Sequence, residues 1–252
     1  MSIPKKIHYC WFGRNPLPQM AIRCIESWKK YCPDYEIIEW NEENFPIDKW
    51  NYAAEAYNEK KWAFVSDVAR LYALVEYGGI YMDTDVEVLT NYDMFLHHKA
   101  FSGFESDGNV PTGMMAAEKG NKWIGDLLKY YNDKLFIYDD GSYNLTTNTT
   151  IITNYMVEIG LRLDNTYQNF EGLVSMYPSD YFCPKDHRTG KIKLTHNSVC
   201  IHHFAGSWLE HKSMSYRLYK LKTYIMRIFG DKLINSIIYT LKLDKLKKKL
   251  LK

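Results

Sequence analysis

The sequence is poor in features that would mark several other kinds of protein. It holds only five cysteines in 252 residues (Cys10, Cys24, Cys32, Cys183 and Cys200), an odd number with no Cys-x-x-Cys pair. That argues against both a disulfide framework and a zinc site, and a reducing cytosol is the expected setting. No apolar run approaches the roughly 18 residues needed to span a bilayer. No apolar stretch follows the basic pair Lys5-Lys6 to make a secretory signal, so the sequons at Asn144 and Asn148 are expected to stay unmodified. With 46% apolar and 25% charged residues, the composition excludes a disordered, collagenous or multi-span membrane chain.

What is present is a chain long enough for one large α/β domain, rich in rings. Aromatics make up 15%, with 21 Tyr and 7 Trp, and such rings either fill cores or stack on sugars and bases. The net charge of +2 conceals an asymmetry. Residues 1–210 carry 20 Lys and Arg against 28 Asp and Glu, whereas 211–252 carry 12 against 2. An acidic body argues against nucleic acid as a partner, since phosphate contacts need a basic face. The expected division is therefore a domain at 1–210 and a basic tail at 211–252. In the tail, Leu218, Leu221, Ile225 and Phe229, then Leu233, Ile234, Ile237, Ile238 and Leu241, fall at helical spacing. Two amphipathic helices there would either lie on an anionic membrane, each basic residue contributing about 1 kcal/mol, or pack on the body.

Along the body, Lys6–Phe12 reads as a first strand ending at Gly13. Met20–Tyr31 follows as a helix and Tyr35–Trp40 as a second strand. This β-α-β opening implies a parallel sheet. Lys61–Tyr77 has an apolar stripe at Trp62, Val65, Ala69 and Tyr72, and Gly78-Gly79 supplies a left-handed stop. A short strand, Ile80-Tyr-Met, then runs into Asp83-Thr-Asp85, and Val86–Leu89 continues extended. Residues 101–118 read as loops able to shape a pocket, 123–135 and 148–161 as helices, 173–182 as strand and loop, and 191–204 as strands ending at His202-His203.

The sharpest chemistry sits at Asp83 and Asp85. An isolated Asp-x-Asp is most often a solvated turn. Here it follows an apolar strand, where two carboxylates offer hard oxygen ligands to a divalent cation and leave room for phosphate oxygens. His203 is a candidate third ligand; beside it stands His202, and in a strand the two point to opposite faces. Ser66, Asp67 and Arg70 lie within one helical turn, fitting either a surface ion pair or a clamp for sugar hydroxyls. Tyr9, Trp11 and Trp40 stand at or near sheet edges. Trp11 is the better base-stacking candidate because it lies at the carboxyl edge, where open α/β sheets bind ligands.

Five segments together, Ile7-His-Tyr-Cys-Trp-Phe-Gly13, Ser27-Trp28, Trp62-Ala-Phe-Val-Ser-Asp-Val-Ala-Arg70, Tyr77-Gly-Gly-Ile-Tyr-Met-Asp-Thr-Asp85 and His202-His-Phe-Ala-Gly-Ser-Trp208, resemble glycosyltransferase family 32, over roughly residues 3–209. These are DXD-motif sugar transferases related in their core to the large glucosylating toxins. The resemblance implies an α/β GT-A (Rossmann-like) fold, a UDP-sugar donor, Mn²⁺ or Mg²⁺, and retention of anomeric configuration. It implies that Asp67, Arg70, Asp83 and Asp85 form the catalytic set, with Asp85 and His203 on the metal. Tyr9, Trp11, Ser66, Asp67, Arg70, Asp83, Thr84, Asn148, Ser207 and Trp208 would hold the sugar donor: Trp11 against uracil, Ser207 and Trp208 against the diphosphate. The toxins carry a carboxylate at roughly the place of His203. The acceptor would be a glycan or lipid-linked, in capsule, O-antigen or lipooligosaccharide assembly at the cytosolic membrane face. A metal phosphoesterase using Asp83, Asp85 and His203, or a non-catalytic carbohydrate- or membrane-binding protein, are the other classes the residues allow.

Overall fold

The computed structural model describes residues 3–105 and 108–206. The expected tail at 211–252, together with Ser207 and Trp208, lies outside the described residues. Residues 3–184 and 193–206 belong to one compact unit. Residues 185–192 belong to a second, in which the Asp186 carboxylate accepts from the Arg188 and Thr189 N–H groups. No helix among the described residues is long and apolar enough to cross a membrane.

The opening β-α-β is present as β1 (Lys6–Cys10), α1 (Gln19–Tyr31) and β2 (Glu36–Trp40). After it come α2 (Asn51–Asn58), α3 (Trp62–Tyr77), β3 (Gly79–Met82) and β4 (Val86–Val88). Helix α3 stops where the glycine pair requires, with Gly78 at φ 64° and its N–H on the Leu74 carbonyl. The two-turn α2 has only Tyr52, Ala53 and Ala56 to bury, too short a stripe to stand out in the sequence.

The second half departs from its expected reading. Residues 101–118 are not all loop, for they hold β5 (Ala100–Gly103) and β6 (Met114–Ala117). Every residue of both strands is buried, so no polar alternation marks them. Helix α4 (Lys122–Lys129) stops six residues short of the expected 135, in turns at Tyr131 and Asn132 that bond back to Leu128 and Lys129. Then follow α5 (Asn148–Glu158), β7 (Gln168–Phe170), β8 (Val174–Tyr177), α6 (Ser179–Phe182) and β9 (Cys200–His202), the last being the one named strand in 191–204.

The strands form a seven-stranded sheet ordered β2-β1-β3-β6-β5-β8-β7 and a separate β4-β9 pair. Parallel pairing joins β1 to β2 and β3, and β5 to β8, while β6 runs antiparallel to both neighbours, giving a mixed α/β sheet. One core face packs α2, α3, α4 and α5; the other packs α1 and the β4-β9 pair. The Ser27-Trp28 motif fastens that second face. The Trp28 indole N–H donates to the Val86 carbonyl at 2.7 Å, and Ser27 Oγ accepts from the Val88 N–H at 2.9 Å. Together they fix the strand that leaves Asp85.

Candidate active site

At the carboxyl end of β3 the chain turns tightly, the Val86 N–H bonding the Asp83 carbonyl at 3.0 Å. The turn presents Asp83 and Asp85, with Thr84 half-buried between them. Asp83 is held from two sides: its N–H donates to the Gly113 carbonyl at 2.8 Å, and its carboxylate accepts from the Tyr81 hydroxyl at 2.8 Å. Asp85 accepts from the Ala205 N–H at 2.7 Å.

Helix α3 delivers the second group. Its i, i+3 spacing turns Asp67 and Arg70 toward the strand end, where the guanidinium lies 3.1 Å from Asp67 and 3.4 Å from Asp83. It also donates to the Thr112 carbonyl at 2.8 Å and lies 4.6 Å from the centre of the Tyr81 ring. This is a buried bridge between the helix and the acidic turn, not a surface ion pair, with Asp67 and Arg70 only 7% and 5% exposed. Burial pushes the Asp67 carboxyl up to about 6, against the opposing pull of Arg70 and of the Asn148 N–H. Burial works against the Arg70 charge too, but Tyr81, Asp83 and Asp67 hold it in place.

The expected histidine is corrected. His202, not His203, reaches the carboxylates: its Nε2 is 3.2 Å from Asp85 and 3.9 Å from Asp83, while His203 Nε2 lies 2.8 Å from Glu87. The ladder decides this, because Val86 pairs with His202 in register and successive side chains alternate faces. His203 still ties the turn through its backbone, donating to the Asp85 carbonyl at 2.9 Å. Burial alone would raise the Asp85 carboxyl, yet the His202 imidazolium beside it keeps it low. Conversely, burial would lower His202 and Asp85 raises it.

Asp83, Asp85 and His202 form the cluster able to hold a metal ion among the described residues, with ligand atoms within 4.8 Å of one another. Two carboxylate oxygens and an imidazole nitrogen are a donor set that a divalent cation can take. Arg70 meets Asp67 and Asp83, and His202 meets Asp85; a bound cation would take the place of the His202 proton, leaving three carboxylates and one guanidinium around it.

Other expected residues separate. Tyr9 is a core residue, its hydroxyl on Glu39 at 2.6 Å and its ring edge-on to Trp28, so no face is open to a base. Trp40 is buried too, donating to His8 Nδ1 at 3.1 Å. Asn148 is closed off from a sugar by burial. It is 1% exposed, its amide donates to the Asp67 carbonyl at 2.8 Å, and its oxygen accepts from the Tyr131 hydroxyl at 2.6 Å. It positions Asp67. Ser66 donates to the Trp62 carbonyl at 3.0 Å while remaining half-buried beside the clamp. Trp11, half-buried beyond β1, lines a cleft of about 310 Å³ with Arg14, Asn15, Leu17, Glu39 and Glu42. Tyr81 and Tyr131, both fully buried, set their hydroxyls on Asp83 and Asn148; the signal for Tyr81 is its place in the strand that ends at Asp83, and Tyr131 carries no local signal.

Residues 18–102 match the family described as glycosyltransferase sugar-binding region containing DXD motif. The chain is 30% identical over 131 residues to inositol phosphoceramide mannosyltransferase 3 of Schizosaccharomyces pombe, a match covering 49% of this chain and 35% of that protein. It is 29% identical over 113 residues to subversion of eukaryotic traffic protein A of Legionella pneumophila, covering 34% and 17%. The chain thus spans about a third or less of the length of these relatives. Among solved structures, a PaToxG glycosyltransferase superposes with a TM-score of 0.50 at 19% identity, covering 63% of this chain and 70% of that one, a likeness of fold. With Asp83-Thr-Asp85 seated at the end of β3, the chain is an α/β protein of GT-A-like fold in which residues 18–102 are similar to the DXD-containing sugar-binding region of glycosyltransferases.

Proposed function

We propose that the protein moves a sugar from a nucleotide-sugar donor to an acceptor hydroxyl. One observation carries this reading: Asp83, Asp85 and His202 converge at a strand end, and Arg70 bridges Asp83 to Asp67 beside them. The two carboxylates and His202 would hold Mn²⁺ or Mg²⁺, which supplies electrostatic stabilisation of the charge that develops on the leaving diphosphate. Arg70, fixed on four sides, adds a permanent positive charge that needs no rearrangement as that charge appears. In this reading Asp67, restrained by Asn148, acts through Arg70 by holding the guanidinium at the acidic turn. Trp11 offers a ring face for the base at the cleft beyond β1, and UDP is the nucleotide this reading takes.

The acceptor in this reading is a glycan or lipid-linked molecule at the inner membrane face. Two facts support that choice: the tail carries 12 Lys and Arg against 2 acidic residues, and the yeast relative bears the name of a mannosyltransferase of inositol phosphoceramide. Retention through front-face attack fits a site whose carboxylates are all engaged with Arg70, His202 or backbone N–H groups.

Calorimetric titration tests the central claim, using UDP-glucose, UDP-galactose, their N-acetyl forms and GDP-mannose, each with Mn²⁺ and with EDTA. Metal-dependent binding of one nucleotide sugar is the expected result. Failure of the folded protein to bind any of them, or equal binding in EDTA, overturns it.

A further inference from the structure

Gly113 lies immediately before β6 and directly opposite Asp83 across the β3-β6 ladder, since Met82 pairs with Met114. Its φ lies outside the left-handed region, so its backbone conformation does not call for glycine. A glycine beside a strand loses conformational entropy on folding, and close approach of another group is the remaining reason to keep one there. That group is His202. A Cβ on Gly113 would lie 2.7 Å from Nδ1, 2.8 Å from Cε1 and 3.1 Å from Cγ of the imidazole. The ring is flanked on its other sides by the Asp85 carboxylate at 3.2 Å and the Phe204 ring at 4.1 Å, which limits the room to yield.

Two further bonds make this dipeptide a bracket. The Thr112 carbonyl takes the Arg70 guanidinium, and the Gly113 carbonyl takes the Asp83 N–H. Thus three site residues drawn from α3, the β3 turn and β9 meet on one short stretch of backbone. We infer that Gly113 is a positioning residue for the proposed transfer site: its missing side chain sets the place of the His202 imidazole against Asp83 and Asp85. The inference rests on the reading given under Proposed function for its consequence, and on geometry alone for the placement.

The experiment is a double-mutant cycle with Gly113→Ala and His202→Ala, read first without metal. In the metal-free protein, Gly113→Ala shifts the His202 ring-nitrogen NMR signals while those of the buried His8, bonded to Gly78 and Trp40, stay in place. It also lowers the thermal midpoint, and in the His202→Ala background the same methyl lowers it little or not at all, because the ring it strikes is gone. With Mn²⁺, Gly113→Ala weakens affinity by roughly tenfold or more, and adds nothing once His202 is absent. Unmoved His202 signals, or equal loss of thermal midpoint in both backgrounds, overturn the inference. If the wild type binds no Mn²⁺ while the thermal coupling persists, Gly113 still sets the ring and the metal reading fails instead.

Discussion

The two halves of the main sheet divide the labour of the site. The parallel half, β2-β1-β3 with α3, carries the charge: Asp67, Arg70, Asp83 and Asp85 lie within nineteen residues of one another in sequence. The half beyond β6 contributes little charge to the site and most of its anchorage, through the Thr112 and Gly113 carbonyls, Tyr131 and Asn148. The β4-β9 pair adds His202. Reactive groups can be clustered by a local motif, but holding four buried or half-buried charges needs polar partners from distant chain, since each charge removed from water must be met by bonds.

The comparison breaks most sharply if removing one charge from the first half leaves transfer intact. Asp85→Asn is expected to reduce kcat/KM for sugar transfer by on the order of a thousandfold, through lost cation stabilisation of the leaving group. Turnover near wild type in a coupled nucleotide-release assay rules that role out. Next in size is Arg70→Ala. It leaves Asp67 buried without its partner and is expected to cost about 3–5 kcal/mol in denaturant unfolding, against a neutral result if the bridge were a surface pair.

His8 tests the parallel half away from the site. Its Nε2–H donates to the Gly78 carbonyl at 2.8 Å and Nδ1 accepts from the Trp40 indole at 3.1 Å, so a second proton on Nδ1 would face an N–H. Burial lowers its pKa from 6.5 to about 4, outweighing the bond to Gly78, with small influences from Lys6 and Glu36. Between those values the unfolded chain holds a proton that the folded chain lacks. Stability therefore falls as pH drops through that window, by on the order of 3 kcal/mol in total. Urea unfolding at pH 7 and pH 4.5 measures it, and His8→Gln should flatten the difference; parallel curves for the two proteins assign the acid lability elsewhere.

Smaller effects sharpen the account of the β4-β9 pair. Trp28→Phe removes the bond to the Val86 carbonyl and is expected to cost about 1–3 kcal/mol by leaving that buried acceptor unmet. His203→Ala is expected to change Mn²⁺ affinity by less than about threefold, whereas His202→Ala lowers it by about tenfold or more. Equal losses would return His203 to the metal shell.

Much of the first half was legible because its signals are local. The β1-α1-β2 opening, the α3 stripe with its glycine stop, and the acidic pair after an apolar strand each lie within a window that periodicity and capping rules can read. The second half was less legible. β5 and β6 are four residues each and buried on both faces, so neither alternation nor length sets them apart from loop. Tyr9 and Asn148, expected at the nucleotide sugar, are structural, because which face of a strand or helix start is covered depends on α1, Tyr131 and Asp67 packing there.

The sequence by itself determined the α/β opening, the acidic pair at a strand end, the i, i+3 spacing that puts Asp67 and Arg70 on one face, and the rule that only one of two adjacent strand histidines can face the site. Tertiary structure alone decided which one. The β4-β9 register places His202 opposite Val86, Trp28 and Ser27 fix β4 from beneath, and Gly113 leaves the space the ring occupies. Register is a relation between strands more than a hundred residues apart in this chain, and strand pairing with a period of two turns a one-residue slip into a change of face. No pattern within either strand encodes that choice.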